Sequence, residues 1–539
     1  MKKFHILQYV LVAFFAIAIC SAAFPLFGSS YIPTHDGEYH IIRIVEFAKM
    51  LRQGYIFPRW APDFNSGYGI PIFQYHYPFP NYVGVLISSV LHDAVRSFQM
   101  AQGFGYILAV VALCGWLYVL FGFIPAIVGA TISAYVPYWF VDLYVRGSIG
   151  EIWATAFLFC VLYVSERKKY PFVAFFYGLL ILSHNVLAMV YTPVLIGYFL
   201  IRDKKNLWGF LGGLGIASYF WIPALFERGY VTGLNTVNFR EHFVRVYELL
   251  IPSWGTEFSG IGMTGNTISF QVGIIPLIIL IGVFIKLIKE KDKNIKKLVG
   301  YFLIVFGITI ALMLPWSQKI WEIITPLQLM QYPWRFLSVG IPVVGIASAY
   351  WVSRMKRPVI GIILMVLAIL FSYSYARPVQ YAPRNEEYYT SRPNFTDGTS
   401  SMGNSFSTIW TGWKDTRAQS AFSIKNGVVE KYFKMKYLDT SFQVMMTDSG
   451  IITVNTVYFP GWKAYVDSKE TPIIYTDDGI IHISVPQGSH RVSIVFVDTA
   501  PRVIGKVLSI GSLIGVFVWV GLPYIMGSSL SIRKFAKKK

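Results

Sequence analysis

Apolar runs of roughly 15 to 25 residues recur along most of this chain, separated by short basic or polar stretches. In lipid, a run of that length satisfies its own backbone hydrogen bonds only as a helix. The pattern predicts about twelve spans, near residues 5–24, 100–120, 124–143, 152–166, 171–184, 186–201, 207–227, 269–288, 298–315, 336–353, 357–375 and 503–527. The run YVGVLISSVL at 82–91 does not fit as a crossing, because it would put later basic clusters on opposite sides of the membrane. It reads instead as a helix in, or dipping into, the outer leaflet. The runs flanking Ser183, His184 and Asn185 are short for two crossings, which predicts thinning or a broken re-entrant arrangement with His184 below the outer surface.

A different pattern takes over after residue 375. Alternating segments such as VVEKYFKMKY, GIITVNTVYF, WKAYVD, IIHISVP and HRVSIVFVD, separated by turn residues, predict a β-sandwich of about 100 residues after an irregular Pro-, Ser-, Asn- and Gly-rich connector. The expected fold is an all-α polytopic membrane bundle with a C-terminal extracytoplasmic β-sandwich. Residues 1–375 form the transmembrane domain with a first outer loop at 25–99, 376–500 the β-rich domain with its connector, and 501–539 a last span and basic tail.

Composition agrees with that reading. Hydrophobic residues are 55% of the 539, charged residues 14%, and mean hydropathy is +0.51, more apolar surface than one soluble core could hide. The net charge of +19 would suit nucleic acid, but the basic residues cluster between apolar runs at 167–169, 202–205, 286–297, 354–357 and 533–539. That is the positive-inside pattern, so the expected surroundings are the plasma membrane, with both termini cytoplasmic and no nucleic-acid partner. The start MKKFHILQYVLVAFFAIAICSAAF fits a retained first span and also a signal peptide with small residues at 21–23; either leaves the next residue outside. Cys20, Cys114 and Cys160 lie within apolar runs and imply neither a disulfide framework nor a zinc site.

Candidate chemistry begins at PTHDGEYHIIRIVEFAKMLRQG, residues 33–54. Ile41, Ile44, Val45, Ala48 and Leu51 recur at helical spacing, with Arg43, Glu46, Lys49 and Gln53 on other faces and Gly54 as the stop. This predicts a four-turn amphipathic helix lying flat on the outer surface. Asp36 and Glu38 at its start have two readings: a cap and a first-turn acid favoured by the helix dipole, or functional acids facing a wet cavity beside the membrane. A third reading makes His35, Asp36, Glu38 and His40 ligands of a divalent cation. Arg335, in QYPWRF, is an interfacial anchor with Trp334 or a clamp on a phosphate. Arg146 and Glu151 flank one short loop and are placed to pair, and His184 is a polar residue at a helix break or a site residue. His40 and Arg59, in the first outer loop, complete the candidate binding set. Trp60, Tyr68, Tyr75, Tyr77 and Trp334 suit an interfacial belt as well as sugar stacking. No Rossmann or Walker glycine loop precedes a helix, which argues against nucleotide-sugar chemistry.

The stretch HDGEYHIIRIVEFAKMLRQGYIFPRWAPDFNSGYGIPIFQYHYPFPNY resembles the bacterial and archaeal membrane family labelled 6-pyruvoyl-tetrahydropterin-synthase-related, although the chain has no His-x-His pair like that of the soluble pterin enzyme. YVRGSIGE, LSHN and QYPWRFLSVG also resemble that family, and YFPGWKAYVDSKETPIIYTDDGIIHISVPQGSHRVSIVF resembles the β-domain that ends large bacterial membrane glycosyltransferase-like proteins. One N-terminal span, an acidic first outer loop and surface-lying helices are together similar to the GT-C superfamily of integral membrane glycosyltransferases. That resemblance implies a sugar donor on a polyprenyl phosphate or pyrophosphate and a first-loop acid at the catalytic centre, matched by Asp36 and less closely by Glu38. The implied reaction is inverting transfer to a glycan, lipid or protein acceptor on the outer face. Arg335 or Arg146 would meet the leaving phosphate, and either no cofactor or a Mg or Mn ion on Asp36 and Glu38 would be needed. Two rival readings stand beside it: a lipid or polysaccharide transporter, disfavoured by central spans almost free of charge, and a non-catalytic scaffold that binds envelope polymer.

Overall fold

The computed structural model describes residues 2–233, 237–259, 266–391 and 405–536, with side chains from residue 6 to 521 among them. Part of the connector (392–404) and the end of the basic tail lie outside the described residues. The helices are α1 (Lys2–Ala23), α2 (Gly37–Arg52), α3 (Phe79–Leu91), α4 (Ala94–Phe121), α5 (Phe123–Ala134), α6 (Pro137–Phe140), α7 (Ile149–Glu166), α8 (Tyr170–Ser183), α9 (Asn185–Arg202), α10 (Asn206–Ile216), α11 (Ser218–Phe226), α12 (Ile274–Ile288) and α13 (Lys293–Met313). Two short helices, α14 (Gln318–Ile323) and α15 (Thr325–Gln328), lead to α16 (Leu337–Ser353), α17 (Pro358–Ser372), the short α18 (Glu386–Thr390) and, after the strands, α19 (Ala500–Ala536).

Among the described residues, eight segments are long and apolar enough to cross a membrane: Ile6–Phe27, Ala94–Phe121, Ile149–Glu166, Asn185–Arg202, Lys293–Met313, Pro333–Ser353, Pro358–Tyr375 and Ala500–Gly521. Two bent pairs raise the number to ten, Phe123–Ala134 with Pro137–Arg146 at 51° and Asn206–Ile216 with Ser218–Phe226 at 65°. The expected twelve spans are therefore not all present as full crossings. At 1.5 Å per residue, the 14 residues of α8 and 15 of α12 reach only about 21–23 Å, short of a hydrocarbon core of about 30 Å. The first bend has a local cause. Val136 is extended at φ −64°, ψ 127°, because the ring of Pro137 disfavours a helical residue before it, and Pro137 then opens α6. Aspartates start two long helices: Asp93 accepts from the N–H groups of Val95 and Arg96 at 2.9 and 3.1 Å, and Asp292 does the same for α13.

The helix α2 departs from expectation. It does not lie flat on a surface: His40 through Ala48 are buried continuously, including Arg43 and Glu46. Residues 55–78, closed on themselves by the Ala61–Ile70 bridge, fold back across its polar face. There Asp63 donates its N–H to Glu46 Oε2 at 3.0 Å, and Lys49 bonds both Glu46, at 2.7 Å, and Asp63. Burial, reinforced by the Asp63 charge and opposed by Lys49, pushes the Glu46 carboxyl up to about 7.

The strands are β1 (Phe422–Ile424), β2 (Gly427–Lys436), β3 (Asp439–Met446), β4 (Gly450–Val457), β5 (Trp462–Val466), β6 (Lys469–Thr471), β7 (Ile473–Ile474), β8 (Ile480–Val485) and β9 (Gly488–Phe496). They form two antiparallel sheets, ordered β1-β4-β8-β7 and β2-β3-β9-β5-β6. Alternate residues such as Phe442, Val444, Ile452, Ile481, Ile483, Val492 and Ile494 share one core between the sheets. Met50 of α2, Trp60 of the first loop and Val231 complete that core, so the β-domain is built partly on the bundle's own loop. Arg502, fully buried at the start of α19, pairs with Glu227 at 2.9 Å and donates to the Pro460 carbonyl at 2.7 Å, tying the last helix to both parts.

Candidate active site

The start of α2 is held from below by the segment before α7. The His35 N–H donates to the Val145 carbonyl at 2.9 Å, and the Asp36 N–H to the Arg146 carbonyl at 2.8 Å. Two glycines make this approach feasible. A Cβ on Gly37 would lie 2.4 Å from Thr34 Oγ1, and one on Gly147, which sits at φ +68°, would lie 2.2 Å from the same atom.

Asp36 occupies the N-cap position of α2 but makes no side-chain cap bond. It lines a cavity of about 140 Å³ with Tyr39, His40, Arg43, His76, Tyr77, His184 and Arg335. Arg43 Nη1 lies 2.8 Å from His76 Nε2, and its Nε is buried without a partner. Burial, and then the Arg43 charge, hold both His40 and His76 well below the ordinary imidazole range, so both rings are neutral. His184 caps α9: its Nδ1 accepts from the Leu187 N–H at 3.1 Å, which leaves the proton of a neutral ring on Nε2. Arg335 is held by three contacts, Nε to Glu151 at 3.0 Å and Nη1 to the Met330 carbonyl at 2.6 Å and Gln331 Oε1 at 3.1 Å.

The cavity thus brings together Asp36, His40, His184 and Arg335 from the sequence-derived set. Arg146 is elsewhere, paired with Asp142 at 2.6 Å and Glu151 at 2.7 Å and lying over the Trp334 ring. It supports Arg335 through their shared carboxylate. Arg59 also lies outside the cavity, bonded to Gln74 Oε1 at 2.6 Å and the Tyr219 carbonyl at 3.1 Å, where it joins the first loop to α11. Glu38 pairs with Arg384 and accepts from Tyr389 at 3.2 Å. Residues two apart on a helix do not face each other, which is why Glu38 leaves the cavity that Asp36 lines.

The same divergence breaks up the expected cation cluster. His35 contacts the Thr256 carbonyl at 2.8 Å and stacks on Phe258, while Glu38 is committed to Arg384. Among the described residues no three His, Cys, Asp or Glu side chains gather as a metal site. Sequence reasoning missed His76 and, more tellingly, Arg43, which it placed on another face of the helix. Its signal was present: Asp36, Tyr39, His40 and Arg43 stand at i, i+3, i+4 and i+7, one polar stripe on one face.

Two further cavities lie beside the one at Asp36. Asn185 and Val186 border a second cavity of about 410 Å³, which includes Arg228, Thr325 and Gln328. Met189 and Pro326 are shared in turn with an apolar groove of about 330 Å³ between α9 and α13, walled by Pro193, Val194, Val305, Ile308 and Leu312.

No family model matches the chain, so its likeness to the 6-pyruvoyl-tetrahydropterin-synthase-related family rests on motifs alone. A relative described as an uncharacterized protein of Lactococcus lactis subsp. cremoris (strain MG1363) is 22% identical over 253 residues, which are 42% of this chain and 40% of that protein. The chain therefore matches less than half the length of that relative. Among solved structures it is similar to the Archaeoglobus fulgidus oligosaccharyltransferase in the apo form, at 14% identity and TM-score 0.42, over 68% of this chain and 55% of that one. It is also similar to ArnT from Cupriavidus metallidurans bound to undecaprenyl phosphate, at 15% identity and TM-score 0.40, over 67% and 63% of the two chains. A third similar structure is the arabinofuranosyltransferase AftD from Mycobacteria, at 17% identity and TM-score 0.44, over 68% of this chain and 26% of that one.

Proposed function

We propose that this chain is an integral membrane glycosyltransferase that moves a sugar from a polyprenyl-phosphate or pyrophosphate donor to an envelope acceptor on the outer face, with both chain termini cytoplasmic. One observation carries the reading: an acid free of its cap and two guanidinium groups line one cavity, which shares wall residues with a second cavity that in turn shares wall residues with an apolar groove. The polyprenyl tail would lie in the apolar groove between α9 and α13, which is lined for a hydrocarbon chain and little else. Its phosphate would then stand near Asn185, within the shared wall of the first two cavities.

In the transfer step Asp36 takes the proton of the acceptor hydroxyl as that oxygen bonds to the anomeric carbon. The bond from the anomeric carbon to the phosphate oxygen breaks on the opposite face, and configuration inverts. The phosphate leaves with its electron pair, and the guanidinium groups of Arg335 and Arg43 meet the growing charge. His184 Nε2–H is a further donor to the same oxygens. Glu38 and Arg146 hold the site's walls in this scheme and touch no reacting atom.

The test compares lipid-linked sugars and envelope glycans from wild-type, deletion and Asp36→Asn cells. The variant is expected to insert and fold normally while transfer falls about 10²–10⁴-fold, with the lipid-linked sugar accumulating. Identical profiles in all three strains would remove the transferase reading and leave the polymer-binding scaffold.

A further inference from the structure

A separate cavity, of about 420 Å³, lies where the first outer loop meets the β-domain. Its size falls within the roughly 300–1,000 Å³ of small-ligand sites. It sits beyond the C-terminal end of α2, whose 16 residues span about 24 Å, so it is separate from the cavity at Asp36. Its wall is mixed. Tyr437 and Trp462 supply aromatic surface, and Asp63, Arg417 and Asn455 supply hydrogen-bonding groups of both signs.

Several of those groups have capacity left over. The Trp462 indole N–H is buried without an acceptor, although the ring is packed edge-on against Trp60 at 5.8 Å. Asn455 donates to the Ser420 carbonyl at 2.7 Å, which anchors its amide and leaves the side-chain oxygen for a donor. Arg417 is exposed and lies over the backbone of Gly67, where a Cβ would stand 3.6 Å from the guanidinium carbon. Tyr437 is 43% exposed, and its backbone N–H donates to Gln53 Oε1 at 3.0 Å, which fixes the backbone that carries the ring.

We infer that this cleft is a carbohydrate-binding site for a neutral oligosaccharide. An aromatic face matches the C–H face of a pyranose ring, and donors and acceptors of both signs match hydroxyls better than they match a single ionic group. The inference goes beyond the transfer reaction, since binding here requires no chemistry at Asp36.

The experiment uses the full-length protein in detergent on a microarray of neutral and anionic oligosaccharides, with Tyr437→Ala, Arg417→Ala and Asp36→Asn variants alongside. Both cleft variants change exposed side chains and are expected to keep the wild-type melting temperature. Wild type and Asp36→Asn should bind the same neutral glycans, and Tyr437→Ala and Arg417→Ala should bind them about tenfold more weakly. If no neutral glycan is retained, if both cleft variants bind as wild type does, or if only anionic glycans bind, the assignment is overturned. Retention of neutral glycans at the cleft by a protein that shows no transfer would uphold this site and remove the proposed function, so the two fail separately.

Discussion

Replacing Glu151 by Gln is expected to destabilise the protein by about 3–5 kcal/mol, because it leaves a buried cation without its counter-charge. The cluster holds two carboxylates, Asp142 and Glu151, and two guanidinium groups, Arg146 and Arg335, and the Glu151 side chain is fully buried. Three donors converge on Glu151: Arg146 Nη2 at 2.7 Å, Arg335 Nε at 3.0 Å and Tyr138 OH at 3.0 Å. A glutamine offers one acceptor oxygen to those three and turns an NH₂ toward a guanidinium group. A unit-charge pair about 4 Å apart at an effective dielectric near 20 is worth about 4 kcal/mol, so the lost attraction is of the same order as the expected effect. The assay is unfolding of detergent-purified protein, followed by tryptophan fluorescence for each single variant and for Glu151→Gln/Arg335→Gln. The double variant restores charge balance, so its destabilisation should fall short of the sum of the singles by about 1–3 kcal/mol. A Glu151→Gln loss below about 1 kcal/mol, or strict additivity, would refute the charge-balance reasoning.

The remaining predictions concern α2 and the bundle. The folded Glu46 value stands at about 7 against an ordinary 4.5, so its contribution to stability is complete below about pH 4.5 and is lost as pH rises through 7. Wild type should lose about 1.4 kcal/mol of stability per pH unit across that window relative to Glu46→Gln, measured by thermal melts at stepped pH. Parallel curves would sink the point. Arg43→Gln should lower transfer about 10²–10³-fold if it meets transition-state charge, whereas Arg384→Gln, whose partner Glu38 is outside the cavity, should change initial rates less than about fivefold. Gly129→Ala should destabilise by about 1–3 kcal/mol, read as a lower melting temperature, because the new Cβ would stand 2.8 Å from the Gly345 carbonyl where α5 crosses α16.

Much of the bundle was legible in the sequence because an apolar run long enough to span lipid determines its own structure, whatever surrounds it. Span number was less legible, since it depends on where a helix breaks. The 124–143 stretch read as one straight crossing, and the structure bends it by 51° between Ala134 and Pro137, whose ring already marked the break. The depth of α2 could not be read locally at all. Its apolar period correctly gives a helix, but Arg43 and Glu46 become buried only because residues 55–78, well outside the helix, fold over them.

The site divides the same way. Asp36, His184 and Arg335 come from segments roughly 150 residues apart, yet each is a polar residue next to a span end, where few places are both wet and close to lipid. That constraint is strong enough to bring them together on paper. It says nothing of orientation, which is why Glu38, Arg146 and Arg59 were grouped with them although their side chains are bonded outside the cavity. Orientation on α2 follows from helical geometry instead: the i, i+3, i+4, i+7 stripe selects Tyr39, His40 and Arg43 as companions of Asp36 and rejects Glu38. On that stripe Arg43 is buried against the neutral His76 ring with its Nε unbonded, a charge that is costly to keep without an anion beside it.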